Sequence, residues 1–119
     1  MDNHGSPAED MKRLLAFLGK HEASDLHLKV GYPPYVRIGG HLRKLELGAI
    51  PDTAFVHQMI RPLAPDNRWH DFEVNGALDF SARDPNGDRY RINIYRSQGD
   101  IHVAVRRIKA KIADFTELN

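Results

Sequence analysis

Apolar positions recur along this chain with two different periods. Met11, Leu14, Leu15 and Leu18 fall at i, i+3, i+4 and i+7 and make one stripe, which Phe17 widens. Ser6-Pro7-Ala8-Glu9 stands just before it. Ser6 can cap a helix, Pro7 suits the first helical position and Glu9 sits where a capping box needs it. The pattern predicts a helix from residue 7 to residue 20 or 21, behind a frayed tail over 1–5. The period then changes to two. Leu26, Leu28 and Val30 alternate with Asp25, His27 and Lys29, which predicts a strand over 25–30. Gly31-Tyr32-Pro33-Pro34 breaks it, 35–38 is a second strand, and Gly39-Gly40 reads as a hairpin turn into a third over 41–47. Leu42 and Leu45 are three apart, so alternation does not set the register of that third strand.

The helical period returns after Pro51-Asp52, where Phe55, Val56, Met59 and Ile60 line one face and Pro62 ends the element. Pro65-Asp66 opens a short third helix carrying Trp69 and Phe72, both read as core, and Asn75-Gly76 stops it. Three strands follow, at 77–82, 89–96 and 100–108, with Asp84-Pro85-Asn86-Gly87 as a turn between the first two. Residues 110–119 are short and mixed in character. One helix, three strands, two helices and three strands joined by tight turns predict an α+β fold. Its sheet should be antiparallel, of about five to six strands, with flanking helices.

The chain has 119 residues, a single domain's worth, 41% hydrophobic and 28% charged, with no cysteine. Disulfides and thiolate metal sites are thereby excluded. No apolar run reaches the ~18 residues of a membrane span, and the acidic first ten residues are unlike a secretory signal. A cytoplasmic location is expected. The net charge is only +1, which speaks against a general nucleic-acid binder and leads us to expect no direct nucleic-acid partner. The charge is unevenly spread, however. Between residues 89 and 111, Arg89, Arg91, Arg96, Arg106, Arg107, Lys109 and Lys111 face a single acid, Asp100. Such a segment is either a solvated strand face or a surface for an anion.

Pairing across a two-residue Gln98-Gly99 turn brings two of these residues together. Ile94 then faces Val103 and Ile92 faces Val105, all on one face; a one-residue slip would separate them. On the other face Tyr95 meets His102, Asn93 meets Ala104 and Arg91 meets Arg106. Like charges directly opposite cost roughly 0.2–1 kcal/mol. A phosphate between them would remove the cost, since the guanidinium fork matches its oxygens. Pairing of each arginine with a carboxylate such as Asp79 or Asp88 would also remove it, and this is the commoner arrangement.

Other chemistry is sparse. No G-x-x-x-x-G-K-[ST] or G-x-G-x-x-G loop occurs, no G-x-S-x-G elbow, and no close histidine pair. His27, His41 and His102 are read as solvated rather than metal-binding. Tyr32, Tyr35 and Tyr95 are read as packing in a core or an interface. No catalytic residue and no metal site is expected.

Three segments resemble a known family. Ala23-Ser24-Asp25-Leu26-His27-Leu28, continuing through Lys29-Val30-Gly31-Tyr32-Pro33-Pro34 and Tyr35-Val36-Arg37-Ile38-Gly39-Gly40, resembles the opening "ASD-L-H-L-x-x-G-x-P-P-x-x-R-x-x-G" of the twitching-motility (PilT-type) ATPases of type IV pili. The type II secretion and pilus assembly ATPases are their relatives. Arg89-Tyr90-Arg91-Ile92-Asn93 is similar to that family's "R-[FY]-R-[VI]-N" strand. Val105-Arg106-Arg107-Ile108 is similar to its "F-R-x-I", with valine in place of the aromatic residue. Phe115-Thr116-Glu117-Leu118-Asn119 resembles the stretch before the family's catalytic half.

The resemblance implies a PAS-like N-terminal domain over 10–109, behind a flexible tail and helix cap at 1–9. A linker would begin at 110–119 and lead to a RecA-like domain outside this sequence. It implies a hexameric motor in which ATP and magnesium bind only in the full-length parent. Nucleotide-phosphate contacts would come from Arg91 and Arg106, with Arg89 and Arg96 as weaker candidates. The implied partners are the RecA-like domain, other copies in the hexamer, and the inner-membrane pilus or secretion machinery, to which the motor would be peripheral. With no Walker A loop, this chain alone is not expected to hydrolyse ATP. The competing expectation is a stand-alone PAS-like module that binds a protein or small ligand. A G-x-x-x-x-G-K-[ST] motif encoded soon after Asn119 would separate the two.

Overall fold

The structure, a computed structural model, describes residues 5–83 and 87–109. Expectations for the first residues of the tail, for most of the Asp84–Gly87 turn and for 110–119 lie outside these residues. The element order is α1 (Pro7–Lys20), β1 (Asp25–Lys29), β2 (Tyr35–Ile38), β3 (His41–Lys44), α2 (Thr53–Ile60), α3 (Asp66–Asn75), β4 (Ala77–Arg83), β5 (Arg89–Ser97) and β6 (Asp100–Ile108). The strands form one six-stranded sheet in the order β3-β2-β1-β6-β5-β4, and every neighbouring pair is antiparallel. The α+β reading is borne out.

Local chemistry explains the helix ends. The Ser6 hydroxyl accepts the Glu9 backbone N–H at 3.2 Å, which satisfies one orphan donor of α1. Asp52 caps α2 in the same way, accepting from the Phe55 N–H at 2.8 Å. At the end of α3, Gly76 takes a left-handed φ of 76° and its N–H returns to the Phe72 carbonyl. A side chain at that φ would be strained.

Alternation places Leu26, Leu28, Val36, Leu78, Phe80, Tyr90, Ile92, Ile94, Ile101, Val103 and Val105 on one face of the sheet, all buried. The three helices cover that face with Met11, Leu14, Leu18, Val56, Met59, Ile60, Trp69 and Phe72. Trp69 and Phe72 are core, as expected. The Tyr90 hydroxyl donates to the Leu15 carbonyl at 3.0 Å and ties β5 to α1. No helix among the described residues is long and apolar enough to cross a membrane.

The strand ends differ from expectation in four places: β4 and β5 each run one residue further, to Arg83 and Ser97, and β1 and β3 stop short. β1 stops at Lys29, and Val30 forms an isolated parallel bridge with Ile50. β3 stops at Lys44 rather than 47, because the chain turns so that Leu45 and Leu47 pack against the core edge. The consequence for function is that helices occupy one face of the sheet and, among the described residues, the other face is open.

Candidate functional site

The open face is organised in lateral rows. Arg37 of β2 pairs with Asp25 of β1, Asp25 with Arg106 of β6, Arg106 with Arg91 of β5, and Arg91 with Ser81 of β4. The Arg91–Arg106 pairing is the one derived from the Gln98-Gly99 turn. One step along the strands lies the row Tyr35, His27, Ala104, Asn93, Asp79. Two arginines thus meet at the centre of the face, flanked by a carboxylate on each side.

Each guanidinium has an acidic partner. Arg91 Nη2 lies 3.1 Å from Asp79 Oδ2, reaching diagonally to the neighbouring row. Arg106 Nε lies 3.3 Å from Asp25 Oδ1. The Asp25 carboxylate is shared, since Arg37 Nε approaches its Oδ2 at 3.9 Å. Both central arginines remain open to solvent, with side chains 65% exposed for Arg91 and 73% for Arg106. An open depression is lined by Arg91, Arg106, Asp25, Asp79, His27 and Asn93. The carboxylate pairing considered from sequence is therefore present for Arg91 through Asp79. Asp88 instead partners Arg107, and Asp25 takes Arg106.

Asp25 is the most constrained member. Burial pushes its pKa up, but a 2.6 Å hydrogen bond from the Ser24 hydroxyl and the charge and hydrogen bond of Arg106 outweigh burial, with a smaller contribution from His27. The net result is a carboxylate held below the ordinary aspartate value. It is an anchored anion between the longer side chains of Arg37 and Arg106.

The remaining basic residues separate by strand parity. Arg89 shares the open face but lies at its rim, opposite Ile108 and Arg83. Arg96 falls on the helix-covered face, where its guanidinium sits 4.9 Å from the Phe72 ring centroid, so it does not join Arg91 and Arg106. Arg107 also points to the helix side. Its Nε donates to the Ala23 carbonyl at 3.0 Å and its Nη1 to Asp88 at 3.2 Å. Asp25 and Arg37 are members of the face that the sequence reading used only as motif positions.

Tyr32 and Tyr95 lie outside the core, and Tyr35 is half-buried. Tyr32 is 48% exposed with Lys29 over its ring, and Tyr95 is 42% exposed and stacks on His102 at 5.0 Å. Among the described residues, no three His, Asp or Glu side chains converge as a metal site.

No family model matches the chain. The type IV pilus retraction ATPase PilT of Pseudomonas aeruginosa is 35% identical to it over 109 residues, which is 92% of this chain and 31% of that protein. The crystal structure of the pilus retraction motor PilT with bound ADP has the same fold with a TM-score of 0.76 at 26% identity, over 88% of this chain and 31% of that one. The ATPase DotB of Legionella pneumophila matches in fold with a TM-score of 0.74 at 21% identity, over 98% of this chain and 33% of its own. The chain spans about a third of the length of each of these relatives. In sequence and fold together, the chain is similar to the N-terminal portion of the pilus retraction ATPase PilT, and in fold alone to DotB.

Proposed function

We propose that this domain is the nucleotide-sensing half of a hexameric pilus-retraction or secretion motor, and that its open sheet face meets the phosphates of ATP held by a RecA-like domain of the same polypeptide. The observation that carries the reading is the pairing of Arg91 with Arg106 on an uncovered face. Two exposed guanidinium groups at neighbouring positions match the spread of charge on a polyphosphate. Arg89 extends the basic surface at the rim.

ATP with magnesium fits this donor set as a ligand held chiefly elsewhere, because arginines supply phosphate contacts but no base for water and no metal ligands. Arg91 and Arg106 would neutralise charge on the phosphates and pull the open face toward them. Loss of that charge on hydrolysis weakens the pull, so the angle between the two domains follows the nucleotide state. The PAS-like domain supplies leverage and contacts within the hexamer, while hydrolysis belongs to the RecA-like domain. Residues 110–119 begin the linker between them. The motor works in the cytoplasm against the inner-membrane pilus or secretion machinery.

The test is ATP turnover of the full-length parent. Arg91→Ala and Arg106→Ala should each depress turnover while leaving the domain folded. Normal turnover in both variants would refute the assignment.

A further inference from the structure

The two carboxylates on the open face hold their arginines in different ways. Asp25 grips Arg106 on the side edge of its guanidinium, through Nε at 3.3 Å, and leaves the end edge between the two terminal amino groups without a hydrogen bond to it. The Asp25 carboxylate is itself anchored by the Ser24 hydroxyl and has a side chain only 15% exposed. Asp79 meets Arg91 at its terminal end, through Nη2 at 3.1 Å, and its side chain is 45% exposed. The terminal end of an arginine is where a phosphate approaching from solvent arrives. An anion therefore finds the end edge of Arg106 open and one terminal amino group of Arg91 already engaged by a carboxylate.

The geometry points to Asp79 as an intramolecular competitor for Arg91, a built-in anion that an incoming polyphosphate must displace. The inference rests on the proposed phosphate role of the face and adds an order of events to it. Arg106, held in place from behind by Asp25, engages first. Arg91 follows only when the second phosphate contact outweighs Asp79. An anion that reaches one arginine gains a single contact and still faces the negative charge of Asp79. A di- or triphosphate long enough to span both can replace the carboxylate, so Asp79 favours longer phosphate chains over inorganic phosphate.

Asp79→Asn is the informative substitution. It keeps the shape of the side chain and removes the charge, and the Asp79 backbone carbonyl that accepts from Arg68 is untouched. The 119-residue chain is titrated with inorganic tripolyphosphate at fixed salt, and arginine side-chain N–H resonances are followed by NMR. The wild type should bind weakly, with signals of Arg106 and Arg91 shifting. In Asp79→Asn the dissociation constant should fall about two- to fivefold, the range expected when an exposed ion pair no longer competes. That gain should vanish in Asp79→Asn/Arg91→Ala, because the competition acts through Arg91. If tripolyphosphate shifts the arginine signals but Asp79→Asn binds no more tightly than wild type, the competitor role is overturned and the phosphate role stands. A gain that persists without Arg91 overturns it equally, since it would reflect net charge alone. If tripolyphosphate moves neither arginine in the wild type or the variant, the phosphate role and the competitor role fall together.

Discussion

Arg106 and Arg107 are adjacent in sequence and carry the same charge, yet strand parity gives them opposite tasks. Arg106 projects into solvent with a side chain 73% exposed and pairs with Asp25. Arg107 turns under the sheet, 9% exposed, and bonds both the Ala23 carbonyl and Asp88, whose side chain is 15% exposed. Removing one partner of a largely buried, hydrogen-bonded ion pair typically costs about 3–5 kcal/mol. An exposed pair is worth at most about 1 kcal/mol. Arg107→Ala should therefore lose about 3 kcal/mol and lower Tm by on the order of 10 °C for a domain of this size. Arg106→Ala should stay within about 1 kcal/mol of wild type. Arg107→Lys should recover only part of the loss, because one ammonium cannot reproduce a fork that reaches both the Ala23 carbonyl and Asp88. Urea unfolding of the three variants, read by circular dichroism, measures all of this. Equal destabilisation by Arg106→Ala and Arg107→Ala would refute the division of the two residues between faces, and with it the placement of Arg106 on the open one.

Two further outcomes follow from single sites. The Asp25 carboxyl titrates below its ordinary value in the folded chain, so it contributes stability that is complete above the unfolded value of about 3.9 and is lost as pH falls through the lower folded value. Asp25→Asn should therefore flatten the stability profile below about pH 4 relative to wild type, and identical acid limbs in urea titrations at a series of pH values would contradict this. Gln98 holds a positive φ of 54° at the first position of the β5–β6 turn, next to Gly99 at 87°. Asparagine tolerates that conformation better, so Gln98→Asn should raise stability by about 0.5–1 kcal/mol and increase Tm by a few degrees in a thermal melt, whereas a lower Tm would count against the turn assignment.

How much of this face was legible beforehand depended on distance along the chain. The β5–β6 register could be read because Ile92, Ile94, Val103 and Val105 demand one face, and a two-residue turn leaves no freedom in pairing. The same parity, followed one residue at a time, already separates Arg106 from Arg107. It also sends Arg96 to the helix side, which family resemblance by itself does not reveal. The pairing of β1 with β6 was not legible. Asp25 and Arg106 lie 81 positions apart, and nothing in the alternation of Asp25, His27 and Lys29 says which strand they will adjoin. For the same reason Asp25 was visible only as a motif residue and not as the partner of Arg106. The early end of β3 was hidden because Leu42 and Leu45 fit no single alternation, and the structure sends Leu42 to the open face and Leu45 toward the core. Of the two roles read for the tyrosines, the structure removes the core for Tyr32 and Tyr95, which lie on the face the helices leave uncovered.

The central claim is that Arg91 and Arg106 together meet phosphate. A structure of the full-length parent with a non-hydrolysable ATP analogue bound tests it most directly. The account predicts both guanidinium groups within hydrogen-bond distance of phosphate oxygens, about 2.7–3.2 Å, with Asp79 released from Arg91. Both arginines still paired with Asp79 and Asp25, and the phosphates contacted by other residues, would contradict it.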